Sequence, residues 1–237
     1  MKNKYAILDI GNTRTKLCYF KGLEMSEVQY YSSEEEAFQN ITAVEAVLFS
    51  TVKDLRVPES LNIPYYILGP HLNLPFDVQY ENKDSLGADR LALAAAAVQK
   101  YRDQACLVID AGTCITYELI INQCYLGGAI SPGLQMRAKA MHEFTSKLPV
   151  VDPSDKKVRF PAKNTRDCLK FGAREGFQLE IEAMISKYAA QYPKLNIVLT
   201  GGDAEWFEIP SNYSIFADPN FLLKGLNFIL QHNVQQA

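Results

Sequence analysis

The feature that most limits how this chain can fold is a short unit that occurs twice. LDIGNTRTK at positions 8–16 and IDAGTCIT at 109–116 superpose Asp9 on Asp110 and Gly11 on Gly112, roughly half the 237-residue chain apart. In each copy an apolar run stops at Asp-x-Gly and a second run rich in β-branched or aromatic residues follows: 5–10 then 15–20, and 105–109 then 115–121. Such runs read as strand, tight turn, strand. A chain that repeats this unit is expected to be a duplicated α/β protein, and the segments between the copies agree. SEEEAFQ at 33–39 offers Ser33 as a helix N-cap followed by an acidic first turn, and 44–52 reads as a buried strand. Pro58, Pro64, Pro70 and Pro75 mark an irregular stretch, and 87–102 is an Ala- and Leu-rich helix. After the second copy, 133–146 and 165–190 have helical spacing, 196–199 is a buried strand that ends in Thr200-Gly201-Gly202-Asp203, and 219–232 closes the chain as a helix. We expect two domains, 1–104 and 105–237.

The turns also suggest chemistry. Asp, Gly, Asn and Thr at a strand end place a carboxylate and hydroxyls where glycine lets a ligand approach the backbone. Amide N–H groups there can donate to phosphoryl oxygens, Asp9 can hold magnesium directly or through water, and Lys16 can neutralise charge. These residues also make ordinary turns. The second copy at Asp110 favours the phosphate reading, because two such turns facing each other would enclose the phosphates of one nucleotide. Gly201-Gly202, after an apolar strand, would open a slot for a purine, although paired glycines also form simple turns. Gly87-Ala88-Asp89-Arg90 opens the predicted helix. There Asp89 either complements the helix dipole or acts as a general base beside an arginine that orients an oxyanion. Tyr80, set among polar residues before Gly87, is a pocket wall or simple packing. Trp206 reads as packing.

Composition removes several function classes. Twenty-four Lys+Arg against 27 Asp+Glu give a net charge of −3, which offers no general attraction to nucleic acid or to an anionic membrane, so neither partner is expected. The run before Asp9 is too short for a signal sequence, and the longest apolar run, 91–98, cannot span a bilayer. Five cysteines without a C-x-x-C spacing suggest a reducing, cytoplasmic setting, and all but Cys114, which follows the second turn, read as small buried hydrophobes. His71, His142 and His232 are too scattered to hold a metal or to build a triad.

The ordered trio Asp-x-Gly-x-Thr, Asp-x-Gly-Thr and Leu-x-Gly-Gly resembles the acetate and sugar kinase, Hsp70 and actin superfamily. DIGNTRTK (9–16), GADR (87–90), DAGT (110–113), GGAISPG (127–133), SKLP (146–149) and NTRDCLKFG (164–172) are similar, within it, to type III pantothenate kinase. The resemblance implies a duplicated actin-like ATPase (ribonuclease H-like) fold with mixed five-stranded sheets flanked by helices. It further implies ATP-dependent phosphorylation of pantothenate, the first step of coenzyme A biosynthesis, by a homodimer. By the same resemblance Asp9, Ile10, Gly11, Asn12, Thr13, Arg14, Thr15 and Lys16 serve ATP phosphates and magnesium, and Thr113 serves ATP. Asp110 takes a monovalent cation, K⁺ or NH₄⁺, and Asp89 is the proton acceptor. Tyr80, Gly87, Ala88, Asp89 and Arg90 line the pantothenate pocket, and Thr165 joins it from the partner subunit. Lys83 stands where the family usually has proline, and Cys168 where it has a small Ala or Ser. The alternatives are a kinase of another small alcohol or sugar, and a non-catalytic ATP-binding accessory protein.

Overall fold

A computed structural model describes residues 4–11, 14–51, 55–69, 71–154, 159–210 and 213–236. The chain forms two compact units: Met1–Asp103 with Ile120–Leu126 and Asn220–Ala237, and Gln104–Leu119 with Gly127–Pro219.

In the first unit, β1 (Lys4–Ile10) hairpins into β2 (Thr15–Lys21), which continues to β3 (Glu24–Met25) and β4 (Gln29–Tyr31). Helix α1 (Glu34–Gln39) leads to β5 (Ala46–Thr51). Short β6 (Tyr65–Ile67) and β7 (Asp77–Val78) precede α2 (Ala88–Tyr101). The sheet order is β3-β2-β1-β5-β6, with β4 also on β2. Strand β1 is its centre, antiparallel to β2 and parallel to β5. Its apolar run is continuous because both faces are covered. Ile7 packs with Leu48, Ala92 and Leu226 on one side, and Leu8 packs with Val47, Phe49, Ala37 and Phe38 on the other. Each fully buried aliphatic or phenyl side chain contributes about 1.5–3 kcal/mol. As the sequence suggested, Ser33 caps α1, its hydroxyl accepting from the Glu36 N–H at 3.2 Å.

In the second unit, β8 (Cys106–Ala111), β9 (Cys114–Ile121) and β10 (Cys124–Pro132) are followed by α3 (Leu134–Glu143) and α4 (Thr165–Gln191). Strands β11 (Asn196–Thr200) and β12 (Ile215–Ala217) complete it. The order β12-β11-β8-β9-β10 reproduces that of the first sheet, with β8, β11 and β12 parallel. The predicted duplication is therefore present strand for strand. Each sheet has a sixth member beyond the expected five, β4 in one and β7 in the other.

The closing helix α5 (Phe221–Val234), expected within 105–237, is grouped with the first unit. Its residues Leu223, Leu226, Ile229 and Leu230 share a core with Tyr5, Ile7 and Ala92, and a Cβ on Gly225 would lie 1.8 Å from the Ala92 carbonyl oxygen. Helix α5 thus seats its backbone on α2, and Gly225→Ala would force the two apart. The tip of the β9–β10 hairpin, Ile120–Leu126, also leaves the expected second domain, because Cys124 and Tyr125 pair with Asp77 and Val78. The stretch expected to be irregular holds β6, an edge strand too short to register between prolines.

Candidate active site

Asp9 is held by the register of three strands. It lies opposite Lys16 on β2 and Ser50 on β5. The Lys16 ammonium stands 3.7 Å from the Asp9 carboxylate, and the Ser50 hydroxyl donates to it. Burial raises the Asp9 pKa above its ordinary value. Lys16 and Ser50 pull it back, and the negative charge of Asp89 pushes it up again. A carboxylate in this condition gains by meeting a cation, which suits magnesium. The turn beyond it closes with the Gly11 N–H donating to the Arg14 carbonyl at 3.2 Å. Ile10 and Thr15 have buried side chains, so from this part of the turn a ligand meets chiefly backbone, while Arg14 is exposed. Asn12 and Thr13 lie outside the described residues.

At the start of α2, Gly87 is the N-cap residue and Ala88 opens the helix. The Asp89 carboxylate folds back over this end. It accepts from the Arg90 N–H at 2.9 Å, and a Cβ on Gly87 would lie 2.4 Å from the same oxygen. Asp89 therefore complements the helix terminus, as one of its two readings expects, and its side chain is exposed. Arg90 is buried, 7% exposed, with its guanidinium carbon 5.7 Å from the Tyr80 ring centroid and 5.9 Å from that of Tyr125. Lys83 begins a 3-10 turn, Lys83–Ser85, between Tyr80 and Gly87.

The second copy of the turn is built mainly from close backbone contacts. Asp110, one residue before the end of β8, is in register with Thr200 of β11. The Gly112 N–H donates to the Cys114 carbonyl at 3.0 Å, and the exposed Thr113 accepts from the Gly133 N–H through its own carbonyl at 3.0 Å. A Cβ on Gly133 would lie 2.0 Å from the Gly112 oxygen, so the GGAISPG string needs glycine there. Gly201, at φ +96°, leaves space that a Cβ would fill at 2.3 Å from the Ala111 carbonyl oxygen and 2.4 Å from an Asp110 carboxylate oxygen. That cradle of oxygens fits a hard monovalent cation. Among the described residues no three of His, Cys, Asp and Glu come together as a metal cluster, so a magnesium ion at Asp9 would complete its shell with water and phosphate. Asp203 donates its N–H to the Ala111 carbonyl at 2.7 Å, and its carboxylate receives the Leu134 N–H at the start of α3.

Thr165 is exposed at the first turn of α4, whose cap is Asn164, accepting from the Asp167 N–H at 3.0 Å. The Thr165 hydroxyl is thus not what secures the helix end. Sequence reasoning missed two features. One is Tyr125. The other is Glu180 on α4, which receives hydrogen bonds from Ser131 and Tyr117 and is ion-paired with Arg137. Burial opposes the charge of Glu180, but the Ser131 and Arg137 bonds prevail and hold its pKa down. Arg137 also donates to the Pro132 carbonyl at 2.9 Å, tying α3 and α4 to the segment just before Gly133. Two cysteines depart from expectation: Cys18 and Cys106 are buried and Cys114, the expected exception, is half-buried, but Cys124 is half-buried and Cys168 is exposed at the open start of α4.

A family model described as type III pantothenate kinase matches residues 41–187. The type III pantothenate kinase of Christiangramia forsetii is 39% identical, covering 97% of this chain and 99% of its own. That of Bacteroides fragilis strain YCH46 is 41% identical, covering 96% and 97%. The chain belongs to the type III pantothenate kinase family. Solved structures extend the likeness at the level of fold. A protein described as a conserved Baf family transcriptional activator from Campylobacter jejuni aligns with a TM-score of 0.58 at 23% identity, covering 97% of this chain and 99% of its own. The Listeria monocytogenes protein Lmo2764, described as an N-acetylmannosamine kinase, aligns with a TM-score of 0.55 at 14% identity, again over 97% and 99%. The duplicated, actin-like α/β fold is thereby established. The family match at 41–187 includes Asp89, Asp110, Thr113 and Thr165, and the full-length relatives extend it towards the Asp9 turn.

Proposed function

We propose that this type III pantothenate kinase family member transfers the γ-phosphoryl group of ATP to the primary hydroxyl of pantothenate, giving 4′-phosphopantothenate at the entry to coenzyme A synthesis. The observation that carries this reading is the pairing, within one unit, of the Asp9–Lys16 turn with an exposed Asp89 whose charge is felt at Asp9. A phosphate-binding turn needs an acceptor-side base close by, and Asp89 at the open end of α2 is suited to that role. The hydroxyl oxygen forms its bond to the γ-phosphorus, the bond from that phosphorus to the bridging oxygen breaks, and ADP leaves with the electron pair. Asp89 receives the hydroxyl proton. Phosphoryl transfer depends on alignment and charge neutralisation, which Lys16 and the turn amides of residues 9–16 supply, with Thr113 contributing to ATP. Magnesium at Asp9 and K⁺ or NH₄⁺ at Asp110 would add positive charge against the phosphates.

Tyr80, Gly87, Ala88 and Arg90 form the wall on the pantothenate side, and Thr165 completes it from the second subunit of a homodimer. No helix of the described residues is long and apolar enough to cross a membrane. With its free cysteines, the enzyme works in the reducing cytoplasm. The test is ADP release with and without pantothenate. Release that requires pantothenate is expected. Release indifferent to it, or driven equally by sugars and other alcohols, would overturn the assignment.

A further inference from the structure

Arg90 is a buried cation, and burying a guanidinium costs several kcal/mol unless its surroundings repay it. A position needed only for packing would be better filled by an apolar side chain. Two rings accompany the guanidinium. Its central carbon and the centroids of Tyr80 and Tyr125 stand 5.7, 5.9 and 6.0 Å apart, and the rings tilt 47° to each other. The guanidinium therefore sits in the corner between two aromatic faces, each close enough for cation–π attraction. Tyr125 is 0% exposed, so it meets Arg90 rather than a ligand. The same residue also holds the other ring: its carbonyl accepts the Gln79 N–H at 2.9 Å, and it pairs with Val78 in the β7–β10 ladder. One hairpin tip thus anchors both walls of the corner.

We propose that Tyr125 is a positioning residue: through its ring, and through its hold on the strand before Tyr80, it aims the Arg90 fork at the carboxylate of the acceptor substrate. This rests on the pantothenate reading above. A planar guanidinium recognises a carboxylate through paired donors only when its plane is fixed, and the α2 N-terminus beside it also favours an anion. Tyr125 would then govern how tightly the acidic end of the substrate is held without touching the phosphoryl transfer itself.

Steady-state kinetics of Tyr125→Leu, Tyr125→Phe, Arg90→Lys and the Tyr125→Leu/Arg90→Lys double variant test this. Tyr125→Leu should raise the KM for pantothenate about tenfold, the loss expected for one desolvated cation–π partner, with kcat and the KM for ATP moving far less. The KM for the alcohol analogue, in which CH₂OH replaces the carboxylate, should move little. Tyr125→Phe, which keeps the π face, should recover most of the loss. Because Tyr125 acts through Arg90, the double variant should be no worse than Arg90→Lys alone. If Tyr125→Leu does not fold, Tyr125→Met, flexible and without a π face, takes its place under the same expectations. Equal KM rises for acid and alcohol, or losses that add in the double variant, would overturn the proposal. A wild-type protein that shows no pantothenate-dependent ADP release would instead remove the functional reading on which it stands.

Discussion

The two units share one strand order but differ in what they place at the end of the leading strand. In the first, the turn after β1 carries charge on side chains: Asp9 is paired with Lys16 at 3.7 Å and senses Asp89. In the second, the turn after β8 is shaped by backbone, with Gly133 and Gly201 allowing carbonyl oxygens closer than any Cβ would permit. The turn glycines themselves differ in the opposite sense. A Cβ on Gly11 would meet the Arg14 oxygen at 3.1 Å, whereas one on Gly112 would meet nothing closer than 3.8 Å. Duplication kept the topology, which core packing enforces, and left the turns free to specialise. On the proposed reading the first serves a divalent ion, phosphates and proton transfer, and the second a weakly held monovalent ion.

If chemistry resides in the first unit, the largest effect of any single substitution should come from Asp89→Asn. Loss of a general base costs about 10²–10⁴ in rate. Turnover should fall by that factor while ATP binding, followed by calorimetry, changes little. Near-normal turnover by the folded variant would dissolve the contrast between the units.

Asp110→Ala probes the second turn. Activity should require K⁺ or NH₄⁺ and fall in sodium buffer. The substitution should remove that dependence together with about a 10²–10³ share of the rate, the scale of a lost electrostatic stabiliser. Full wild-type activity with sodium as the only monovalent cation would take the cation role away from Asp110.

Both turns were legible in the sequence because a strand that stops at Asp-x-Gly is a local signal, and its repetition needed no knowledge of contacts. Helices α2 and α4 were legible from their spacing for the same reason. What escaped depends on residues far apart in the chain. Strand β10 was hidden by its own glycines: a Cβ on Gly128 would lie 1.5 Å from the Tyr117 carbonyl oxygen, so the residue that argues against a strand is the one that lets it lie on β9. Glu180 meets Ser131 and Tyr117 across 49 and 63 positions, and nothing near it announces either partner. The closing helix carried a clear period of its own, but only its packing on the first sheet and on α2, as where Gly225 meets Ala92, assigns it to the first unit. Periodicity identifies an element without saying which sheet it covers.

A smaller effect should attend Thr165→Val. Because Asn164 already caps α4, stability should hardly change, and a lost hydrogen bond to pantothenate should raise its KM by about tenfold or less. Mixing Thr165→Val with Asp89→Asn subunits should restore the wild-type KM for pantothenate in part of the sites if sites are shared between chains. Confirmed subunit exchange with no recovery would confine each pocket to one chain, and a Thr165→Val protein that melts earlier with an unchanged KM would make the residue structural.

The smallest effect expected is one of stability, and it separates Asp9 as a ligand from Asp9 as a buried acid. Burial raises its pKa in the folded protein above the unfolded value near 3.8, so the native state binds the proton more tightly than the unfolded chain. The resulting stability is fully present below the unfolded pKa and is lost as pH rises through the folded one. At pH 7 the ionised Asp9 is therefore a modest burden on the fold, which Lys16 and Ser50 relieve only in part. Asp9→Asn should melt slightly higher than wild type at pH 7, and the difference should shrink as the pH falls towards 4. Magnesium with ATP should reverse the order, because binding stabilises the protein that holds the ligand more tightly. Thermal melts at both pH values, with and without Mg–ATP, read all of this. A wild type that gains no more from Mg–ATP than Asp9→Asn does would leave Asp9 a buried acid and no ligand, and the two turns would no longer differ in the way proposed.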